Sequence, residues 1–282
     1  MNKSEGHTVA FVLGGGGVLG ANEVGMLRAL LQAGITPDLV LGTSIGAVNG
    51  AVLAADPTMG SVERLARLWR DADEAGIFSG GMIARLSTLA KTRTHAHPNE
   101  PLRRALEQAL PVELIEDLPI TFQCVAASIE RAAEHWFTEG PIVDAVLASS
   151  AVPGLLPPVE LNGENFLDGG LVNSIPVDRA VALGAGTIYV LQVGRIEQPL
   201  SKPTRPWEVA LVAFEIARRH RFAGQMEALP QSVEVHVLPT GEEIRFNDLS
   251  QLRYRDASKT AARIERAYEA SIAYLANAET AS

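Results

Sequence analysis

The sequence predicts an α/β fold with parallel strands, and two observations carry that expectation. Within the first 55 residues, branched apolar runs alternate with helically spaced ones in the order run, glycine loop, helix, run, sharp turn, helix. Branched runs then recur to residue 238, the strongest of them at 187–193, with helical stretches between. Apolar residues make up 47% of the 282, enough to bury a sizeable core.

Residues 8–13 read as a first buried strand, which ends in a glycine loop at 14–20. Residues 21–33 have helical spacing through Val24, Leu27 and Leu31, and Gly34 caps that helix. The apolar run 39–41 is a second strand, and it feeds Gly42-Thr43-Ser44-Ile45-Gly46. A G-x-S-x-G turn between strand and helix lifts a serine hydroxyl clear of the sheet. Gly42 and Gly46 flank the serine because a Cβ would clash in so tight a bend. An Ala-rich helix over 47–55 follows.

From 61 to 110 the chain is helical with breaks at Gly80-Gly81 and at the polar stretch 91–101. His95 and His97 lie in that stretch, but a spacing of two points them to different sides of a helix. No cysteine or carboxylate cluster joins them, so a solvated loop is expected there; a mobile lid over 76–101 would read the same way. A third strand is expected at 120–127, a helix at 142–149, and a Pro-rich loop at 151–158. Residues 165–168 form a short strand that ends in Asp168-Gly169-Gly170. Helices at 177–183, 207–229 and 253–275 and strands at 187–193 and 233–238 complete the pattern. The Pro-rich stretch 198–206 marks a linker, yet the helices beyond it are too few to need a separate core.

The formal net charge of -9 and the absence of any basic run argue against a nucleic-acid partner. They also disfavour a purely electrostatic attachment to anionic membranes. Cys124 is the single cysteine, which rules out disulfides and cysteine-based metal sites, and its apolar surroundings place it in the core. Residues 1–7 are short and polar, unlike a signal peptide. The longest uncharged run, 39–55, has 17 residues, fewer than the ~20 apolar residues of a spanning helix. A soluble, cytoplasmic protein is expected.

Three chemistries compete for the glycine loop and the serine. Gly15-x-Gly17-x-x-Gly20 after a strand has the form of a dinucleotide fingerprint. Its ribose-binding acid would be Asp38, which precedes the second strand instead of ending it. The same loop can serve as an oxyanion hole, since consecutive glycines aim several backbone N–H groups at one point. Acyl transfer then needs a base for Ser44. The order Ser44, Asp168, His236 satisfies a hydrolase triad on paper, but His236 sits mid-strand and His220 lies in a basic, solvated helix face. The remaining option is that Asp168, exposed at a strand end by the following glycines, takes the proton itself.

Taken in order, the glycine loop 14–20, the elbow 42–46 and Asp168-Gly169-Gly170 resemble the patatin-like phospholipase family. The segments 148–154 and 168–177 also match, and the resemblance spans roughly residues 9–193. It implies a three-layer α/β/α fold with a mostly parallel central sheet. It also implies hydrolysis of lipid acyl esters, as by a phospholipase or lysophospholipase, without metal or cofactor. Carried over, Ser44 is the nucleophile, Asp168 the base, and the N–H groups of Gly15, Gly16 and Gly17 the oxyanion hole; Gly20, Gly42, Gly46, Gly169 and Gly170 complete the motifs. The organisation expected is a catalytic domain at 8–195 with a mainly helical extension, 196–282, packed on it. The partner expected is a lipid ester, met through transient contact with a membrane or micelle. Leu19 departs from the family, whose members often carry Arg or Lys there. That departure leaves a weakly active or non-catalytic acyl-binding protein as the alternative.

Overall fold

Phe11, Val12 and Leu13 are completely buried, and the strand that holds them lies inside an eight-stranded sheet. The structure, a computed structural model, describes residues 8–71, 95, 97–193, 199–200, 202–204, 206–241 and 257–281. Its strands are β1 (Thr8–Leu13), β2 (Leu39–Thr43), β3 (Thr121–Ser128), β4 (Ala133–Phe137), β5 (Val159–Leu161), β6 (Glu164–Asp168), β7 (Ala185–Leu191) and β8 (Glu234–Val237). The sheet runs β5-β6-β3-β2-β1-β7-β8, with β4 also paired to β3. The pairs among β1, β2, β3, β7 and β8 are parallel, whereas β4, β5 and β6 pair antiparallel.

Alternation along the strands sends side chains to two cores. Phe11, Leu13, Val40 and Leu191 face one layer. That layer is built from α1 (Ala21–Gln32), α2 (Ile45–Ala55), α3 (Met59–Asp71), α4 (Glu100–Ala109), α5 (Ile142–Ser149) and α8 (Ala257–Ala281). Ala10, Val12, Leu41 and Val190 face the other, covered by α6 (Val177–Ala182) and α7 (Pro206–Glu227). The arrangement is therefore three-layered, α/β/α, around a mixed and mostly parallel sheet. Cys124 is buried in the first core, and burial pushes its thiol pKa up.

Two strands are absent from the sequence-based expectation, β4 and β5. The β5–β6 hairpin turns at Asn162-Gly163, both with positive φ (54° and 80°). Asn-Gly between short strands is a strong hairpin signal that the expectation passed over. His95 and His97 also differ from the solvated loop expected of them. His95 bridges Gly154, while His97 is buried and its N–H donates to the Leu155 carbonyl at 2.9 Å. Among the described residues no cluster of metal-ligating side chains is present. Residues 72–94, which hold most of the candidate lid, lie outside the described residues. Among those described, no helix is long and apolar enough to cross a membrane.

Candidate active site

Parallel strands place their carboxyl ends along one edge of the sheet, where ligands bind in open α/β folds. Here β1 ends in the glycine loop and β2 ends in the elbow, two neighbouring strands apart by one ladder. The elbow is strained, with Ser44 at φ 55° and ψ −122°, a conformation that non-glycine residues avoid. Its glycines are obligatory. A Cβ on Gly42 would stand 2.5 Å from the Ala47 Cα, and one on Gly46 would stand 2.3 Å from the Leu13 carbonyl oxygen. Two consecutive serines hold the strained peptide from either side. The Ser44 N–H donates to Ser149 Oγ at 2.9 Å, and Ser150 Oγ donates to the Ser44 carbonyl at 3.1 Å.

Strand pairing explains how Asp168 arrives beside a serine 124 residues away. β2 pairs with β3 up to Thr43 opposite Val125. β6 then takes over the same edge of β3, with Asp168 opposite Ala126, because β4 occupies the other edge. One strand therefore stops where the other begins, and the turn out of β2 puts Ser44 against the end of β6. The Ser44 Oγ donates a hydrogen bond to Asp168 Oδ2 at 2.5 Å. The second carboxylate oxygen, Oδ1, accepts from the Gly170 N–H at 2.7 Å.

Both side chains are nearly closed off from solvent, at 8% exposure for Ser44 and 6% for Asp168. Loss of hydration pushes the Asp168 carboxyl up to about 6, against the opposing pull of its hydrogen bonds from Ser44 and Gly170. A carboxylate with that pKa is ionised at neutral pH and holds a proton well enough to act as a base.

Gly169 makes the approach possible. A Cβ there would lie 2.1 Å from the Val125 carbonyl oxygen, so any side chain forces β6 off β3. Gly169→Ala is expected to destabilise the fold by about 3 kcal/mol, the upper range for overpacking. Thermal melting should fall by roughly 6–10 °C in a protein of this size.

In the glycine loop, Gly15 approaches the serine closely enough that a Cβ on it would meet Ser44 Cβ at 3.4 Å. Its N–H, however, donates to the Ser174 carbonyl at 3.0 Å, so Gly15 is not available as the first of three oxyanion donors. Gly16 and Gly17 remain, at the start of a 3-10 turn whose first N–H groups have no partner inside the turn. Gly17 has φ +58°, and Gly16 packs so tightly on Val193 that a Cβ would lie 2.0 Å from its methyl group. Gly20 ends the turn beneath Ile45, where a Cβ would lie 2.6 Å from Cγ1. Leu19 is buried with Val18 and Val193 in a small apolar cluster. There it packs the loop against Val193.

The competing residues lie elsewhere. His236 is on the edge strand β8, stacked on Tyr189 with ring centroids 4.8 Å apart and bonded to the Tyr274 hydroxyl at 3.3 Å. His220 is on the exposed side of α7. Asp38 Oδ2 accepts from the Val9 N–H at 2.9 Å at the amino-terminal end of the parallel strands, opposite the glycine loop. A dinucleotide site has no acid where it needs one.

Residues 11–181 match the family model described as patatin-like phospholipase. The chain belongs to the patatin-like phospholipase family. Family members among the curated proteins include a patatin-like phospholipase domain-containing protein of Caenorhabditis elegans, 34% identical over 68% of this chain. Lysophospholipase nte1 of Aspergillus terreus is 32% identical over 68% of it. These matches cover only 14% and 12% of the relatives, so the chain corresponds to a small part of each. Among solved structures, VipD from Legionella pneumophila covers 96% of this chain and 67% of its own, at 16% identity and a TM-score of 0.46.

Proposed function

We propose that this patatin-like chain is a serine hydrolase of lipid acyl esters, of the phospholipase or lysophospholipase kind, working through a Ser44–Asp168 dyad. The observation that carries the reading is the 2.5 Å hydrogen bond from a serine on a strained elbow to a buried carboxyl. Ionised Asp168 accepts the Ser44 proton as Oγ attacks the ester carbonyl carbon. The carbonyl electron pair moves onto oxygen, and the Gly16 and Gly17 N–H groups receive that oxyanion. As the tetrahedral species collapses, the ester C–O bond breaks and protonated Asp168 donates to the departing alcohol. Water then repeats the sequence on the acyl-serine, losing a proton to Asp168 and releasing the fatty acid. The substrate class follows from the family and from relatives named lysophospholipase. In this reading residues 8–195 carry the chemistry and 196–282 support them, supplying β8 and α8 to the same sheet and core.

A weakly active or non-catalytic acyl-binding protein is the alternative, because Leu19, seated in an apolar cluster, supplies no positive charge beside the loop. A fluorophosphonate probe separates the two readings. Labelling mapped to Ser44, together with fatty-acid release from lysophosphatidylcholine micelles, is expected. A folded protein that binds these micelles but neither labels nor releases fatty acid would be the acyl-binding protein instead.

A further inference from the structure

Glu23 is the most deeply buried carboxyl in the described structure outside the dyad, and the mechanism above does not use it. It lies in the first turn of α1 with no solvent exposure, and its Oε1 has no hydrogen-bond partner. Its Oε2 accepts from Asn49 Nδ2 at 2.7 Å. The other Nδ2 proton of Asn49 goes to the Gly20 carbonyl at 2.9 Å, while Asn49 Oδ1 accepts from Trp69 Nε1 at 3.1 Å. Every polar atom of the Asn49 amide is thus engaged, and its orientation is fixed.

The geometry is pointed. Gly20 closes the glycine loop, and Asn49 stands on α2, the helix that starts directly after Ser44. We infer that Glu23, acting with Asn49, is a positioning residue that ties the Gly20 end of the glycine loop to the helix behind the nucleophile. The inference rests on the hydrolase reading. It sets the distance between the loop's N–H donors and the atom that Ser44 attacks, without touching substrate. Fold stability does not explain the residue. An unpaired oxygen on a buried carboxyl is destabilising, and burial raises the Glu23 pKa well above the ordinary carboxylate value. Residues that break a local rule in this way are expected at functional sites.

The test compares three variants by kcat and KM for lysophosphatidylcholine. Each is assayed well below its melting temperature, in enzyme whose activity Ser44→Ala abolishes. Glu23→Gln keeps an acceptor at the same reach and is expected to stay within about threefold of wild type. Glu23→Met keeps the length and loses the acceptor, and kcat should fall about 10- to 100-fold with KM within threefold. That split marks an interaction expressed in the transition state, since small misplacements of catalytic donors cost up to about 100-fold. If Glu23→Met does not fold, Glu23→Asp gives the same information, because it keeps the carboxyl and withdraws it by one methylene; the same fall in kcat is expected. A folded Met or Asp variant with wild-type kcat overturns the inference. So does a Gln variant as impaired as Met, or a loss confined to KM. Equal hydrolysis by wild type and Ser44→Ala would instead overturn the hydrolase reading.

Discussion

Ser44→Ala is expected to lower kcat/KM for ester hydrolysis by about 10⁴-fold or more, the scale on which removal of an acyl-transfer nucleophile acts. The expectation has three parts. In the proposed mechanism Oγ is the atom that forms the acyl bond, so no neighbouring group replaces it. Asp168 keeps its place through the Gly170 N–H and through the β3 ladder, so the loss is chemical and not a collapse of the site. Some residual rate over water is expected from the proposed oxyanion donors of Gly16 and Gly17, which the substitution leaves in place. The variant keeps the strained backbone at φ 55°, which alanine tolerates no better than serine, and it leaves Asp168 Oδ2 without its donor. A loss of about 1–3 kcal/mol in stability above pH 6 should accompany the loss of activity. Single-turnover assays and thermal melts of the same preparation check both. Hydrolysis at the wild-type rate would remove Ser44 from the mechanism.

Local chemistry made the first 55 residues readable. Branched runs, a four-glycine loop and G-x-S-x-G each constrain the backbone where they stand, and β1, α1, β2 and α2 all form there. Asp168 was legible as a strand-end carboxyl beside two glycines, though it was expected to be exposed and is buried; its meeting with Ser44 followed from elimination and family resemblance, not from any spacing. That meeting depends on β2 and β6 sharing one edge of β3, and strand order is a property of the folded sheet that no local spacing encodes. The Gly15 N–H illustrates a finer limit. Glycine repetition says that donors are available, not which of them a neighbouring carbonyl such as Ser174 has already taken. Glu23 did leave a trace, since it precedes Leu27 by four and Leu30 by seven and so lies on the apolar stripe of α1. A charge in that position is a buried-carboxyl signal. Asn49, uncharged in an Ala-rich helix, gave none.

Asp168→Asn is expected to lower kcat by roughly 10²–10⁴-fold, the contribution of a positioned general base, while making the protein more stable at neutral pH. Asparagine can hydrogen-bond to both Ser44 and Gly170 but cannot take a proton. The stability gain comes from the pKa. Asp168 titrates near 6 in the folded protein and near the ordinary 3.8 when unfolded, so between these values the native state holds a proton that the unfolded chain has released. Wild-type stability therefore falls as pH rises from about 4 to about 6, and it stays lower above that window. At about 1.4 kcal/mol per pH unit the difference reaches about 3 kcal/mol. Melting curves of wild type and variant should coincide near pH 4 and separate in favour of the variant by pH 7. Activity follows the same titration in the opposite sense. Wild-type kcat/KM should rise tenfold per pH unit below 6 and level off above it, whereas the residual activity of the variant should show no step there. A wild-type profile flat from pH 5 to 8, or a variant no more stable at pH 7, would mean that Asp168 is not the buried base on which the mechanism depends.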